Sequence, residues 1–272
     1  MPKALGKKFT GIPITIRARP IVNDAQHGLL PVDILAELGP CLLVNKPSGV
    51  LTQAPPNIDS MELRIKRLLK VRDQKPGKVY LAVVHRLDRP VSGVMVFAKH
   101  VRAAKRIAEQ FEGRTVEKTY WALVEGQVEE SGTWTDWVRK IPGEARSEIV
   151  DESHPEGRKA VLHFTRRGQG PDWSLLEIRL ETGRTHQIRI QTSHHGVPVR
   201  GDRLYGSQME FGPETSDERK RCIGLHAREL SFRHPMTQEM VVQCAPFPDY
   251  WFAETDHSIH QFLGNHGRLG GN

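Results

Sequence analysis

Cysteine is scarce in this 272-residue chain: Cys41, Cys222 and Cys244 lie far apart in sequence. That spacing suits neither a close-spaced metal site nor a paired disulfide framework, which leaves idle thiols as the expectation. Long apolar runs are missing as well, and the opening Met1-Pro2-Lys3-Ala4-Leu5-Gly6-Lys7-Lys8 reaches no apolar signal-peptide core. A cytoplasmic protein with no membrane partner is therefore expected. No repeat, heptad run or low-complexity block is present, which excludes solenoids and coiled coils.

What is present is an ordinary folded composition with a basic excess. Charged residues make up 26% and hydrophobic ones 38%, so a disordered or fibrous chain is ruled out and one enzyme-sized domain is the simplest reading. The formal net charge of +7 favours a polyanion, either nucleic acid or an anionic membrane surface.

Residues 1 to 38 mix Pro, Gly and basic side chains without sustained periodicity and are expected to form an N-terminal arm carrying Lys3, Lys7, Lys8, Arg17 and Arg19. Residues 39 to 252 form the expected catalytic domain, and 253 to 272, rich in Gly and His, a tail. Within the domain, short apolar runs predict strands at Cys41–Lys46, Val79–Val84, Gly93–Ala98, Lys118–Val124, Ala160–Arg166, Ser174–Leu180, His226–Phe232 and Met240–Cys244. Helical spacing is found at Met61–Leu69, Val101–Phe111 and Thr185–His195, the last two stopping at Gly113 and Gly196. The polar stretch between Gly126 and Lys159 reads as a long excursion holding a short strand or two. Strands outnumber helices and do not alternate with them, so the expected class is α+β, a mixed and largely antiparallel sheet with flanking helices.

The segment His85-Arg86-Leu87-Asp88-Arg89-Pro90-Val91-Ser92-Gly93 sets a carboxylate between two arginines, in a turn between two strands. Turns at strand ends are common places for sites. A flanking cation favours the carboxylate form that a nucleophile or base requires and also offers charge to phosphates. A surface ion pair in a turn fits the same residues equally well.

His85-Arg86-Leu87-Asp88 followed by Ser92-Gly93 resembles the signature of the RluA family of pseudouridine synthases. Further segments match in order: Leu43-Val44-Asn45-Lys46-Pro47-Ser48-Gly49, Glu117-Lys118-Thr119-Tyr120, Gly183-Arg184-Thr185-His186-Gln187-Ile188-Arg189, Gly201-Asp202 through Tyr205-Gly206, and Leu225-His226-Ala227 through His234-Pro235. An ordered series spanning residues 40 to 245 is far more specific than any one motif. The resemblance implies that Asp88 is the catalytic aspartate, that Tyr120 stacks under the target base, and that Arg184 pairs with Asp88. It implies an RNA substrate, ribosomal or transfer, and the fold of a pseudouridine synthase catalytic domain.

The implied reaction breaks the bond from ribose to N1 of uracil and rejoins the base through C5, without net hydrolysis or redox change. A carboxylate suffices for it, so neither cofactor nor metal is expected, and no obligatory protein partner. An aromatic face at Tyr120 would hold the detached base. A uridine in folded RNA must be extruded first, and the planar, cationic Arg86 is the candidate for gripping the flipped nucleotide, with His85 and Arg89 beside it. Leu225 is the candidate apolar wall. Two departures stand out: the threonine usual before Ser-Gly is Val91 here, and Arg200 adds charge before Gly201-Asp202. The small basic N-terminal domain frequent in the family has no clear room before Cys41.

Two other classes remain open at this point. His194-His195, His226 and His234 prompt a metal-dependent phosphoesterase, although the helix motif His-Glu-x-x-His is absent. A non-catalytic RNA chaperone with the same basic face is the other.

Overall fold

The structure is a computed structural model that describes residues 30–253. The basic residues of the expected arm, Lys3 to Arg19, and the tail beyond 253 lie outside the described residues. One 11-stranded sheet organises the chain. In chain order its strands are β1 (Asp33–Leu38), β2 (Cys41–Lys46), β3 (Ala82–Val83), β4 (Ser92–Ala98), β5 (Glu117–Glu125), β6 (Ser131–Lys140), β7 (Ser147–Val150), β8 (Arg158–Gln169), β9 (Trp173–Leu180), β10 (Leu225–Arg233) and β11 (Met240–Cys244). Their spatial order is β1-β2-β4-β10-β5-β9-β8-β6-β7, with β3 paired to β4 and β11 to β10. Pairing is antiparallel except between β4 and β10, where His226 meets Ser92 and Ala227 meets Gly93. The α+β class with a mixed, largely antiparallel sheet is as expected.

Alternation along the strands decides which face each helix covers. Leu42 and Val44 of β2 and Met95 and Phe97 of β4 join a core with Met61, Ile65 and Leu68 of helix α1 (Met61–Arg72). The intervening Cys41, Leu43, Val94, Val96 and Ala98 face Ala103 and Ile107 of helix α2 (Val101–Glu112) on the other side. A sheet covered on both faces buries every residue, which is why β4 reads as a continuous apolar run rather than an alternating one. Ser60 caps α1 by accepting from Leu63 N–H at 3.3 Å.

Three sequence expectations change. Residues 33–38, assigned to the arm, form β1 and pair antiparallel with β2. The excursion after Gly126 contains the ten-residue β6 and the short β7; its half-exposed, polar alternation disguises a strand with only one face packed. The strand expected over Val79–Val84 shrinks to Ala82–Val83 because the chain leaves the sheet for the turn that carries Asp88.

Glycine is required at one close approach. Gly93 has φ +123°, and a Cβ there would stand 2.2 Å from the carbonyl oxygen of Ala227. The parallel contact of β4 with β10, which joins β1, β2 and β4 to the rest of the sheet, thus depends on a missing side chain.

Candidate active site

Asp88 lies on the turn between β3 and β4, and buried polar groups hold that turn from below. Val91 N–H donates to Asp88 O at 3.1 Å, and Gly49 N–H to Arg89 O at 2.8 Å. Thr52 Oγ1 donates to Leu87 O at 2.9 Å and accepts from Leu87 N–H at 3.2 Å. The fully buried Lys46 adds its three ammonium protons, donated to Val50 O at 2.8 Å, Pro47 O at 2.9 Å and Arg89 O at 3.2 Å. Burial lowers the Lys46 pKa to about 7, with the Asp88 charge opposing that fall. The turn is therefore rigid backbone from which only the tip side chains project.

The Asp88 carboxylate meets a cation supplied by helix α3 (Gln187–His194). Arg189 Nη1 donates to Asp88 Oδ2 at 3.2 Å. The same guanidinium forms a two-pronged pair with Asp202, Nε to Oδ2 at 2.6 Å and Nη2 to Oδ1 at 2.8 Å. Asp202 is 1% exposed and Arg189 6%, so this pair orients the arginine in a nearly dry setting. Burial works against the Arg189 charge, but the hydrogen bonds and charges of Asp202 and Asp88 more than offset it and hold its pKa above the usual arginine range. Its Cζ also lies 5.0 Å from the centre of the Tyr205 ring.

The expected partner, Arg184, does not pair with Asp88. Its Nε donates to Lys159 O at 2.9 Å, and the side chain reaches the lip of the cleft. Helix α3 begins at Gln187, two residues later than expected, because His186 adopts a left-handed conformation with φ 55°. That break leaves Arg184 on the preceding loop, while Arg189 falls on the helical turn facing the Asp88 carboxylate.

Around Asp88 opens a cleft of about 290 Å³ whose walls include Arg86, Tyr120, Arg184, His186, Ile188 and Leu225. Tyr120 is presented by β5, between Ala227 of β10 and Ile178 of β9. Burial first, and the Asp88 charge second, raise its phenol pKa, so the hydroxyl keeps its proton. Leu225 is 3% exposed and belongs to the main core while lining the cleft, so the core and wall readings both apply. Val91 is equally buried in that wall.

The remaining expected RNA contacts divide. Arg86 is exposed at the cleft. His85 is held inward, accepting from Val96 N–H at 3.0 Å and stacked on Phe111 at 4.6 Å. Burial, helped by the Lys118 charge, lowers its pKa to about 3, so it packs as a neutral ring. Arg89 does not line the cleft, and its carbonyl serves the turn. Of the histidines offered for a metal, His194 and His195 both approach Asp136, Nε2 at 3.8 and 3.2 Å, with the His195 ring stacked on Trp134, whereas His226 is buried against Ser92 and His234 meets Leu38 O at 3.2 Å. Among the described residues no group of three or more His, Cys, Asp or Glu side chains is arranged to hold a metal ion.

A family model described as RNA pseudouridylate synthase matches residues 40–194. The chain belongs to that family. It is 32% identical over 245 residues, covering 86% of this chain and 72% of the relative, to a ribosomal large subunit pseudouridine synthase D of Xanthomonas campestris pv. campestris. It is 36% identical over 228 residues, covering 80% and 69%, to an RNA pseudouridine synthase, YhcT, of Bacillus subtilis (strain 168). Among solved structures it is similar to human RNA pseudouridylate synthase domain containing 1, with TM-score 0.61, 25% identity and 86% and 94% of the two chains covered. The pseudouridine synthases are RNA isomerases that convert uridine to pseudouridine, and the sequence resemblance to the RluA type is confirmed. No helix among the described residues is long and apolar enough to cross a membrane.

Sequence spacing does not single out Arg189, His186, Asp202 and Tyr205 as site residues. All four stand in motifs already recognised, Gly183 to Arg189 and Gly201 to Gly206, so the signal was present at one-residue resolution only in part. Which of two arginines in one motif faces Asp88 depends on where the helix starts.

Proposed function

We propose that this pseudouridine synthase acts at the Asp88 cleft on uridine in structured RNA of the ribosome or tRNA. The observation that carries the reading is a carboxylate on a rigid turn, paired with the doubly anchored Arg189, in a cleft that also holds Tyr120. Asp88 serves as nucleophile at the ribose or as base toward a glycal intermediate. In either course the C1′–N1 bond breaks, C1′–C5 forms, N1 gains a proton and C5 loses one. Arg189 keeps a positive charge against Asp88 through the sequence, and the Tyr120 ring supplies the face on which detached uracil turns. Leu225 supports that base as an apolar wall.

Outside the cleft, cations suit an RNA strand. Arg184 borders both the Asp88 cleft and a neighbouring groove that includes Lys140 and Arg158. Burial first, and the charges of Arg114 and Arg158 second, lower its pKa. Arg184 and Arg158 grip the phosphates next to the flipped uridine, and the exposed Arg86 fills the vacated stack. The large-subunit names of relatives support ribosomal RNA as the substrate.

The test is to incubate cellular RNA with the purified protein and map new pseudouridines. Wild type forms them at defined positions and Asp88→Ala does not; equal yields from both, or none from wild type, overturn the reading.

A further inference from the structure

His186 of the Gly183–Arg189 segment approaches the Asp88 carboxylate. Its Nε2 is 3.4 Å from Asp88 Oδ2, and its side chain is 8% exposed. Its Nδ1 is 2.8 Å from the Tyr205 hydroxyl. That hydroxyl in turn accepts from Ser147 N–H at 2.8 Å. Burial and the neighbouring Arg189 lower the His186 pKa, against the pull of Asp88 and Asp202.

A neutral imidazole carries one proton, and its two neighbours decide where. Were the proton on Nδ1, the bare lone pair of Nε2 would face the Asp88 carboxylate, and lone pair would oppose anion in a nearly dry site. With the proton on Nε2, the ring donates to Asp88 and accepts at Nδ1. The Tyr205 hydroxyl is free to supply that second bond, because Ser147 occupies only an acceptor lone pair and burial keeps the phenol protonated. Each contact is then matched donor to acceptor along Ser147 N–H, Tyr205 O–H, His186 Nε2–H and Asp88.

We propose that His186 is a positioning residue for Asp88, set as the Nε2–H tautomer by the Tyr205 hydroxyl. Together with Arg189 Nη1, 3.2 Å away, it puts two nitrogen donors on Oδ2, and neither of them engages Oδ1. Two fixed donors restrict rotation about the Asp88 side chain, which is how a reacting atom is kept within a productive approach. The left-handed backbone at His186 serves this arrangement: φ 55° ends the loop and turns the ring back toward Asp88 and Tyr205 before the helix begins. The role rests on the reading of the Asp88 cleft as the site of reaction.

The full-length enzyme is labelled with 15N-histidine, and the His186 resonances are assigned by comparison with His186→Gln. The expected result is a protonated Nε2 and a bare Nδ1 in wild type, with Tyr205→Phe shifting the population toward Nδ1–H. Kinetics on RNA separate positioning from backbone fit. Glutamine places an amide N–H near the lost Nε2–H, whereas asparagine places one near Nδ1 but tolerates the left-handed conformation better. Loss of one donor to a charged group is expected to lower kcat roughly 10- to 100-fold in His186→Asn with little change in KM, and His186→Gln is expected to recover most of it. An Nδ1–H tautomer in wild type overturns the proposal, as does an asparagine variant as active as the glutamine one. If wild type makes no pseudouridine, the functional reading fails while the tautomer measurement still decides the arrangement.

Discussion

The pair between Arg189 and Asp202 is the feature whose removal has the most calculable consequence. Among the described residues, Arg189→Met deletes the only guanidinium in hydrogen-bond contact with Asp202, a carboxylate that is 1% exposed. A buried charge stripped of its partner costs about 3–5 kcal/mol, because neither water nor another cation replaces the lost bonds. Asp202→Leu costs less, near 3 kcal/mol by the same reasoning, since Arg189 retains Asp88. The double variant Arg189→Met with Asp202→Leu removes both charges and leaves Asp88, 17% exposed, to be hydrated in part by solvent. It is expected to be more stable than Arg189→Met alone, with a coupling of at least about 2 kcal/mol. Urea unfolding followed by fluorescence and circular dichroism measures all four proteins. For slopes of about 3 kcal/mol/M, Arg189→Met lowers the midpoint by about 1 M or more. Single costs that add to the double within about 0.5 kcal/mol would refute the view that this is a desolvated, mutually dependent pair. Arg189→Met and the double variant should lose pseudouridine formation, because both remove the Arg189 Nη1 donor to Asp88, whereas Asp202→Leu keeps that donor and loses only the pair that orients it.

Other consequences are as specific. Gly93→Ala places a methyl group 2.2 Å from Ala227 O at a positive φ, so it should separate β4 from β10 and yield little folded protein; near-native thermal stability would contradict the close approach. His226 is fully buried, and its pKa falls to about 3, chiefly through burial. The unfolded chain takes up that proton near pH 6.5, so the contribution is complete above pH 6.5 and is lost as pH falls toward 3, at roughly 1.4 kcal/mol per pH unit. Urea midpoints at pH 7, 6 and 5 should decline accordingly, and less steeply in His226→Gln. Arg184→Ala and Arg158→Ala should each weaken RNA binding and flatten the dependence of log affinity on log salt by nearly one unit; an unchanged slope would remove them from the phosphate path.

The helices α1 and α2 and most strands were legible because local pattern and packing agree there. Met61, Ile65 and Leu68 repeat at helical spacing and all reach one core. β6 is longer than the short strand expected between Gly126 and Lys159, because one of its faces is exposed and polar Thr133 and Thr135 interrupt a sparse apolar signal. β1 escaped notice for a related reason: an edge strand draws its definition from β2, and its own six residues carry little beyond Ile34, Leu35 and Ala36.

For the site, the sequence alone determined the family and pointed to Asp88 and Tyr120, which the fold places in one cleft, since an ordered series of motifs names residues without needing coordinates. Only the tertiary structure decided that Arg189 rather than Arg184 meets Asp88, and that His186, Tyr205 and Asp202 stand behind them. The physical reason is that side-chain direction along Gly183–Arg189 depends on one backbone event, the left-handed turn at His186 that starts the helix at Gln187. Burial then selects the arginine that has two carboxylates to satisfy it, a choice made by distance in space and invisible to spacing in sequence.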